Sequence, residues 1–367
     1  MIDERLEKLA SVLVNHSLEI KKNDLFAICG NPVASPMIRE VYKQALKLGA
    51  HPYIQIGING LGEIYYKNAS EEQLKYVSPI SKFEIGKINA RLAIISPENT
   101  RNMTRVDPKR QAISAIAQQP IHDMFLKRAA KKELRWCVTQ YPTNASAQDA
   151  NMSLEEYEDF IFKAAHVNDK DPVGHWKKMF TEQETIGKML ESKKKLHVVA
   201  KDTDLTVSVK DRKWINCYGK ENFPDGEVFT GPVENSAKGY ISYSFPAVHG
   251  GRLVENIQLW FDKGKVVKSK ASMGEKFLNS MLDMDKGSRR IGEFAFGTNY
   301  GVKEYTKNTL FDEKIGGTIH IAVGLGYPET GSNNKSGLHW DMMCDLRKHG
   351  EVYADGELIY RNGKFLF

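Results

Sequence analysis

The chain has 367 residues, of which 41% are hydrophobic and 27% charged, and its formal net charge is +6. This composition excludes a disordered chain and is typical of a globular protein, and the length suggests two domains. No apolar run approaches the ~18 residues that a membrane-spanning helix needs. The basic residues are dispersed apart from Lys193, Lys194 and Lys195. We therefore expect neither a membrane nor a nucleic acid as a partner.

The four cysteines are far apart in the sequence and lie mostly in strand-like runs: Cys29, Cys137, Cys217 and Cys344. This spacing is typical of reduced core residues rather than of a disulfide framework. The N-terminus has no basic region followed by an apolar signal core. The sequence therefore predicts a cytoplasmic protein.

The N-terminal half alternates apolar strands with helices. Residues 2–18 place Ile2, Leu6, Leu9 and Leu13 on one helix face. A strand is predicted at 25–30, a helix capped by Ser35 with Pro36 in its first turn follows, and Gly49 ends that helix. A second strand at 53–56 completes a β-α-β unit, which predicts a parallel sheet.

Further elements continue this pattern. Ser70 and Ser153 each begin a capping-box sequence that predicts a helix N-terminus. Buried strands are predicted at 92–95 and 136–139, with helical sequence at 110–130 between them. Helical character then extends, with interruptions, to about residue 192.

The sequence changes character near residue 196. Short predicted strands follow one another at 196–200, 205–209, 240–245, 256–261 and 265–267. A helix is expected at 275–282, and the chain finishes with a hairpin turned at Asp355-Gly356. The predicted fold is an α/β N-terminal domain with a mostly parallel sheet, residues 1–195, and an α+β, β-rich C-terminal catalytic domain, residues 196–367.

The second domain contains residues that could bind metal. His339 and Asp341 would point to the same face of a strand, and His320 lies in another β-prone run. Glu293 follows Gly292, which allows a close approach of backbone or ligand, and Glu227 follows a glycine-containing turn. Two histidines with three carboxylates suit two divalent cations that share a bridging carboxylate.

Each of these residues also has an ordinary structural interpretation. A single histidine on a strand is more often hydrogen-bonded in the core, and a His-x-Asp pair arises by chance. No His-Glu-x-x-His or Cys-x-x-Cys spacing is present, and the Gly30 and Gly324 loops lack the rest of a phosphate-binding motif. Asp312 and Glu313 could support a histidine ligand, pair with Lys314 or lie in an exposed turn. Arg289 and Arg290 could bind a peptide carboxylate or pair at a helix end.

Five segments in this order resemble the thermophilic metallo-aminopeptidases, the aminopeptidase T and aminopeptidase S family: residues 227–232, 292–294, 308–320, 326–328 and 339–341. The resemblance extends weakly over nearly the whole chain. It implies metal ligands at Glu227, Glu293, His320, His339 and Asp341, with Tyr327 beside the metals. The segment between Tyr327 and His339 is shorter than in some members, which leaves the shape of the substrate pocket open.

The resemblance implies a metal-dependent aminopeptidase that acts on short peptides with a free N-terminus and uses two ions, zinc, cobalt or manganese. It implies Glu293 as the bridging ligand and a homodimer, in which the first domain has a covering or assembly role. Tyr327 would donate a hydrogen bond to the oxyanion. Two alternatives remain: a metallo-amidase with a non-peptide substrate, and a non-catalytic protein that binds peptides or nucleic acids through exposed Trp214, Trp260 and Trp340.

Overall fold

The computed structural model describes residues 3–367, so the predicted place of Ile2 in the first helix lies outside the described residues. The α-helices are α1 (Glu4–Val12), α2 (Ser35–Lys47), α3 (Leu61–Asn68), α4 (Glu71–Lys75), α5 (Pro79–Lys87), α6 (Pro108–Ala130), α7 (Asn144–Asp149), α8 (Leu154–Ala164), α9 (Pro172–Glu191), α10 (Glu275–Leu282) and α11 (Thr309–Asp312). A π-helical turn, Leu13–Ser17, continues α1.

The β-strands are β1 (Leu25–Gly30), β2 (His51–Ile56), β3 (Ala90–Ile95), β4 (Arg135–Gln140), β5 (Lys195–Ala200), β6 (Thr203–Ser208), β7 (Ile215–Cys217), β8 (Asn222–Phe223), β9 (Glu227–Thr230), β10 (Lys238–Ser242), β11 (Ala247–His249), β12 (Arg252–Val254), β13 (Gln258–Asp262), β14 (Lys265–Lys270), β15 (Ile291–Gly297), β16 (Thr318–Gly324), β17 (His339–Asp345), β18 (Glu351–Ala354), β19 (Glu357–Arg361) and β20 (Lys364–Phe365).

The chain separates into two compact units. The first comprises Met1–His175 with Gly219–Pro224, and the second comprises Trp176–Tyr218 with Asp225–Phe367. The division falls within α9, whereas the boundary predicted between residues 195 and 196 lies at the first residues of β5.

The first unit contains a five-stranded parallel sheet in the order β2-β1-β3-β4-β8. Leu6, Leu9 and Leu13 are buried along α1 and the turn after it, as the predicted amphipathic helix requires. The parallel sheet predicted from the β-α-β pattern is confirmed. Its first four strands are parallel because helices connect each of them to the next and return the chain to the end of the sheet at which strands begin. The fifth strand, β8, comes from the separate segment Gly219–Pro224.

The helix starts of the first unit were predicted with one error. Ser70 and Ser153 both form the predicted capping boxes. The cap at Ser35 was wrong, because a 3₁₀ turn, Pro32–Ala34, leads directly into α2. Ser35 already has helical angles (φ −49°, ψ −39°), and its hydroxyl donates to the Pro32 carbonyl. An N-cap residue needs an extended backbone.

The second unit contains an eight-stranded antiparallel sheet, β14-β13-β10-β6-β5-β18-β19-β20, and a five-stranded antiparallel sheet, β17-β16-β15-β9-β7. Side chains of both sheets contribute to one hydrophobic core. The predicted hairpin at Asp355-Gly356 is confirmed, with φ of +52° and +89° at the two turn residues. The predicted β-rich second half is therefore confirmed.

Two further findings concern partners. Trp214 and Trp340 are buried in the core of the second unit, at 5% and 2% exposure. They cannot form the exposed aromatic surface that a peptide- or nucleic-acid-binding platform would need. Within residues 3–367, no helix combines the length and the apolar character needed to cross a membrane.

Candidate metal centre

The five predicted ligands lie on one face of the five-stranded sheet. Side chains alternate between faces along a strand, and residues paired across strands share a face. The register pairs Glu227 with Gly297, Glu293 with Ala322, and His320 with Ala295. It also pairs Asp341 with Ala322 and His339 with Gly324. Each ligand candidate therefore has a glycine or alanine beside it, which leaves room above the sheet.

The opposite face of the same strands is apolar. Its side chains belong to the core of the second unit: Val228, Phe294, Phe296, Ile319, Ile321, Val323, Trp340 and Met342. The strict alternation of core residues and polar residues fixes the register, because a slip by one residue would bury the carboxylates in the core. The same alternation of apolar and polar residues therefore determines which face of the sheet packs into the core and which face carries the polar cluster.

Gly292 forms an irregularity in β15 that brings two parts of the site together. The pairing with β16 shifts between Ile291 and Glu293, which marks a β-bulge. A Cβ at Gly292 would lie 2.1 Å from the Leu325 carbonyl oxygen. That oxygen accepts a hydrogen bond of 2.9 Å from Nδ1 of His339. The close approach predicted at Gly292 therefore positions the backbone acceptor that orients His339 and leaves its Nε2 free to bind metal.

The separations between the donor atoms suit tetrahedral metal coordination. Nε2 of His320 lies 3.2 Å from Oε2 of Glu227 and 3.2 Å from Oε1 of Glu293. Nε2 of His339 lies 3.5 Å from Oε2 of Glu293 and 3.5 Å from Oδ2 of Asp341. Ligand atoms ~2.0–2.1 Å from one tetrahedral ion are roughly 3.3–3.4 Å apart. The donor set therefore fits divalent ions.

Glu293 belongs to two groups of donors. Its Oε1 faces His320 in the group with Glu227, and its Oε2 faces His339 in the group with Asp341. One carboxylate thus connects two three-residue groups. The first group is deeply buried, with His320 at 0% exposure, and His339 in the second group is 24% exposed.

Three polar atoms of the cluster have no hydrogen-bond partner in the part of the chain that the structure describes: Oε2 of Glu227, Nδ1 of His320 and Oδ1 of Asp341. Buried polar atoms are normally hydrogen-bonded, and exceptions call for a reason such as a bound ion. The two carboxylate oxygens lie within the cluster that the donor geometry defines. Metal coordination would satisfy them.

Lys314 provides a fixed positive charge beneath this cluster. Its side chain is fully buried, and Nζ lies 2.5 Å from Glu227, 2.7 Å from Glu313 and 3.3 Å from Asp225. The predicted pairing of Glu313 with Lys314 is therefore present, although it is buried rather than in an exposed turn. Asp312 is also buried and accepts hydrogen bonds from the Thr306 backbone and hydroxyl at 2.6 and 2.9 Å.

The protonation equilibria reflect an excess of negative charge. Burial raises the pKa of Glu293, and neighbouring Glu227 and Asp341 raise it further. Burial alone would lower the pKa of His320, but the adjacent carboxylates of Glu227 and Glu293 outweigh it and raise that pKa well above its ordinary value. The same balance, through Asp341 and Glu293, raises the pKa of His339 to about 10. The cluster attracts positive charge.

Tyr327 lies at the edge of the cluster. Its ring is 5.2 Å from that of Phe229 and 5.3 Å from the imidazole of His339, centre to centre. Burial raises the pKa of Tyr327, and the nearby carboxylates of Glu293 and Asp341 raise it further. The phenol therefore stays protonated at neutral pH and can donate a hydrogen bond.

Sequence reasoning missed two neighbours of Glu227. Cys217 and Asp225 place donor atoms within 4.8 Å of it and of each other. The signal for Asp225 was available, since it lies two residues before Glu227 in the same turn. The signal for Cys217 was not, because it depends on the pairing of β7 with β9, in which Cys217 lies opposite Glu227.

The two arginines considered as ligands for a peptide carboxylate have partners within the protein. Arg289 pairs with Asp283, and Arg290 donates to the Glu234 carbonyl.

A carboxylate that faces two histidine-containing groups, on one face of a buried sheet, is typical of metal-dependent enzymes. The family model of the thermophilic metalloproteases (M29) matches residues 2–365. The chain belongs to this family, which confirms the family predicted from the five sequence segments. It is therefore a hydrolase of the metal-dependent peptidases.

Curated relatives match over nearly the whole chain. Aminopeptidase 2 of Geobacillus stearothermophilus is 27% identical, with 100% of this chain and 98% of the relative covered. Aminopeptidase T of Thermus aquaticus is 26% identical, with 97% and 95% covered. The wild-type AmpT structure from Thermus thermophilus superposes with a TM-score of 0.87 at 23% identity over 100% of both chains.

A second solved structure shows that the fold alone does not determine the chemistry. A 2,5-dihydroxypyridine dioxygenase from Pseudomonas putida KT2440 superposes with a TM-score of 0.56 at 13% identity, and 98% of this chain is covered. The chemistry therefore depends on the side chains of the site and not on the fold.

Proposed function

We propose that this protein is an aminopeptidase that removes N-terminal residues from short peptides and uses two divalent ions. The observation that carries the proposal is the position of Glu293, whose two oxygens face different imidazoles at 3.2 and 3.5 Å. In this proposal Glu293 bridges the ions. Glu227 and His320 complete one ion's protein ligands, and His339 and Asp341 complete the other's.

The charge of the cluster supports two ions rather than one. Five carboxylates lie in or directly beside it, from Asp225, Glu227, Glu293, Glu313 and Asp341, and Lys314 is the ammonium that contacts three of them. With neutral imidazoles and all five carboxyl groups ionised, as bound cations would favour, this leaves a net charge of about four negative units, which two divalent cations would balance. Buried charges are stable only when they are compensated in this way.

The bound ions would supply Lewis acidity and a water of lowered pKa. The protein's own groups would hold and orient the peptide. The protonated phenol of Tyr327 would donate a hydrogen bond to the oxyanion that develops from the scissile carbonyl. A carboxylate oxygen of Glu227 or Glu293 would carry the proton to the leaving amine. A remaining position on one ion, or a carboxylate beside it, would receive the α-amine of the substrate, which would confine cleavage to the first residue.

The donor atoms limit which ions the site would bind. Imidazole nitrogen and carboxylate oxygen together suit zinc, cobalt or manganese, and we propose that the two native ions are of one of these elements. The half-buried thiol of Cys217 beside Glu227 adds a softer donor near the inner group, which favours zinc or cobalt over manganese there.

We further propose a cytoplasmic homodimer. None of the four cysteines is joined in a disulfide within residues 3–367, as expected in a reducing compartment. The first unit exposes large apolar side chains that a second copy could cover, among them Ile58, Ile80, Phe83 and Ile116. Light scattering at assay concentration tests the dimer, and the mass of a single chain would contradict it.

The function is tested by metal analysis together with substrate choice. Metal-free protein should not hydrolyse dipeptide amides with a free N-terminus. Addition of zinc, cobalt or manganese should restore hydrolysis. Acetylation of the substrate's N-terminus should abolish cleavage, because the α-amine loses its carboxylate or metal partner. Equal rates on acetylated and free peptides would instead indicate an endopeptidase or an amidase.

A further inference from the structure

One loop, residues 328–338, joins Tyr327 to His339, so its path bears on where the phenol lies relative to the metal centre. The loop begins with a 3₁₀ turn in which the hydroxyl and the amide of Thr330 both donate to the Tyr327 carbonyl, at 2.6 and 3.1 Å. The Thr330 carbonyl in turn accepts a hydrogen bond of 3.0 Å from the Lys213 amide. The backbone of Tyr327 is therefore part of a turn that is bonded to a separate segment of the second unit.

Glu234 lies outside this loop and binds its middle. Its Oε1 accepts a hydrogen bond of 2.7 Å from the Asn333 amide and has a longer contact of 3.4 Å with the Ser332 hydroxyl. Its Oε2 lies 2.8 Å from Nη2 of Arg212. One carboxylate oxygen thus binds the loop and the other binds a guanidinium, and hydrogen bonds to ionised groups of this kind are stronger than neutral ones.

The residues that Glu234 holds lie directly against the residue before Tyr327. A Cβ at Gly326 would be 2.1 Å from the hydroxyl oxygen of Ser332, so only a glycine allows this approach. The Gly326 amide also donates to the Asn334 carbonyl at 3.1 Å. A displacement of the loop would therefore be passed on to the backbone of Tyr327.

Arg212 supports the same loop from below. Its side chain is only 8% exposed, and a Cβ at Gly331 would lie 3.3 Å from its Nη1. Burial would raise the pKa of Glu234, but the Asn333 amide, the residue's own amide and Arg212 outweigh it and lower that pKa, so the carboxylate is ionised at neutral pH. Removing such a pair from water costs about as much as its attraction returns. Its main effect is therefore on the geometry of the loop.

We propose that Glu234, together with Arg212, is a positioning residue for peptide hydrolysis, because the pair fixes the loop that holds the Tyr327 phenol at the metal centre. In the proposed function, on which this role depends, Tyr327 donates a hydrogen bond to the oxyanion. Such a donor is effective only when it is held close to its productive position. The ligand candidates lie on β9, β15, β16 and β17 and not in the loop, so releasing the loop should reduce catalysis and leave the ions bound.

The kinetic test is a double-mutant cycle on the zinc-loaded full-length chain, with dipeptide amides as substrates. Glu234→Gln keeps the side-chain size and removes the charge, and kcat should fall by about 10-fold or more with the ion count and KM little changed. In a Tyr327→Phe background the same substitution should change kcat by less than about 2-fold, because the group that it positions is gone. Glu329→Gln is the matched control, since it removes an exposed carboxylate of the same loop, and it should keep the kcat of its background.

Amide hydrogen exchange of the metal-free protein follows the loop without any measurement of activity. In Glu234→Gln the amides of residues 330–334 should exchange about 10-fold faster, whereas those of β16 should be unchanged. Arg212→Gln removes the other half of the pair, serves if Glu234→Gln does not fold, and should give the same pattern in both measurements.

Two results would overturn the proposal: an equal fall in kcat on Glu234→Gln with and without the Tyr327 phenol, or unchanged exchange in the loop. A wild-type protein without metal-dependent hydrolysis would contradict the proposed function instead. The exchange measurement would still decide whether Glu234 holds the loop.

Discussion

Lys314 lies 2.5 Å from Glu227 with its side chain fully buried, so one fixed positive charge holds a carboxylate at the floor of the metal centre. Burial opposes ionisation of Glu227, but Lys314 and His320 outweigh that cost and lower its pKa. Glu227 is thereby kept ionised with Oε1 toward Lys314 and Oε2 toward His320. The ion pair serves the site, since burying two charges seldom stabilises a fold by itself.

Removing this lysine should destabilise the protein strongly. Lys314→Met keeps an unbranched side chain but leaves Glu227, Glu313 and Asp225 without their cation. We expect the free energy of unfolding to fall by about 3–5 kcal/mol, measured by urea denaturation of metal-free protein. Lys188→Met is the control, because Lys188 pairs with Glu184 on an exposed helix face, and it should change stability by less than about 1 kcal/mol. Equal effects of the two substitutions would contradict the role given to Lys314.

Gly292→Ala should damage the site through His339. The added Cβ would push against the Leu325 carbonyl, which accepts the hydrogen bond from His339. We expect weaker metal binding by roughly 10–100-fold, because that carbonyl orients a ligand candidate. Isothermal titration with zinc measures the change. Gly86→Ala is the control, since it lies in α5 with open space around it. Unchanged zinc affinity in Gly292→Ala would show that the approach of Leu325 has no such function.

Asp312 should make stability depend on pH. Burial raises its pKa from 3.8 to about 7. Between these values the folded state binds the proton more tightly than the unfolded state. Its contribution to stability is therefore present at low pH, is lost as pH rises from about 4 to 7, and stays lost above 7.

Asp312→Asn removes this dependence. The free energy of unfolding of the variant, relative to wild type, should increase by a few kcal/mol between about pH 4 and pH 8. Urea denaturation of metal-free protein across this range measures the difference, and other titrating groups cancel in the comparison. A constant difference between the two proteins would show that Asp312 ionises normally in the fold.

Tyr327→Phe should separate catalysis from metal binding. The phenol is proposed as a hydrogen-bond donor to the oxyanion and not as a ligand, so metal content should be unchanged. We expect kcat to fall by roughly 10²–10³ with little change in KM. Steady-state kinetics with parallel metal analysis checks both. Loss of an ion in this variant would make Tyr327 a ligand instead.

Most elements could be predicted from the sequence, whereas the full set of ligand candidates depended on the resemblance of five segments to a known family. Strand alternation predicted a common face only for His339 and Asp341; the face shared with His320 and Glu293 depends on the pairing of β15, β16 and β17. The prediction of an N-cap at Ser35 was wrong because local residue propensities do not indicate the 3₁₀ turn that precedes it. Cys217 could not be predicted, because its position beside Glu227 depends on the pairing of β7 with β9, which no local sequence motif indicates.

Glu293→Gln tests the central claim most directly. The substitution keeps the size of the side chain and removes the charge, and a neutral amide is a poor bridging ligand. Both ions should be lost or greatly weakened, and activity should fall by several orders of magnitude while the fold is kept. His339→Ala, in comparison, should weaken mainly one ion. The measurement is the number of ions per chain alongside kcat after dialysis against excess zinc. A Glu293→Gln protein with two ions in the catalytic cluster and near-normal kcat would contradict the account.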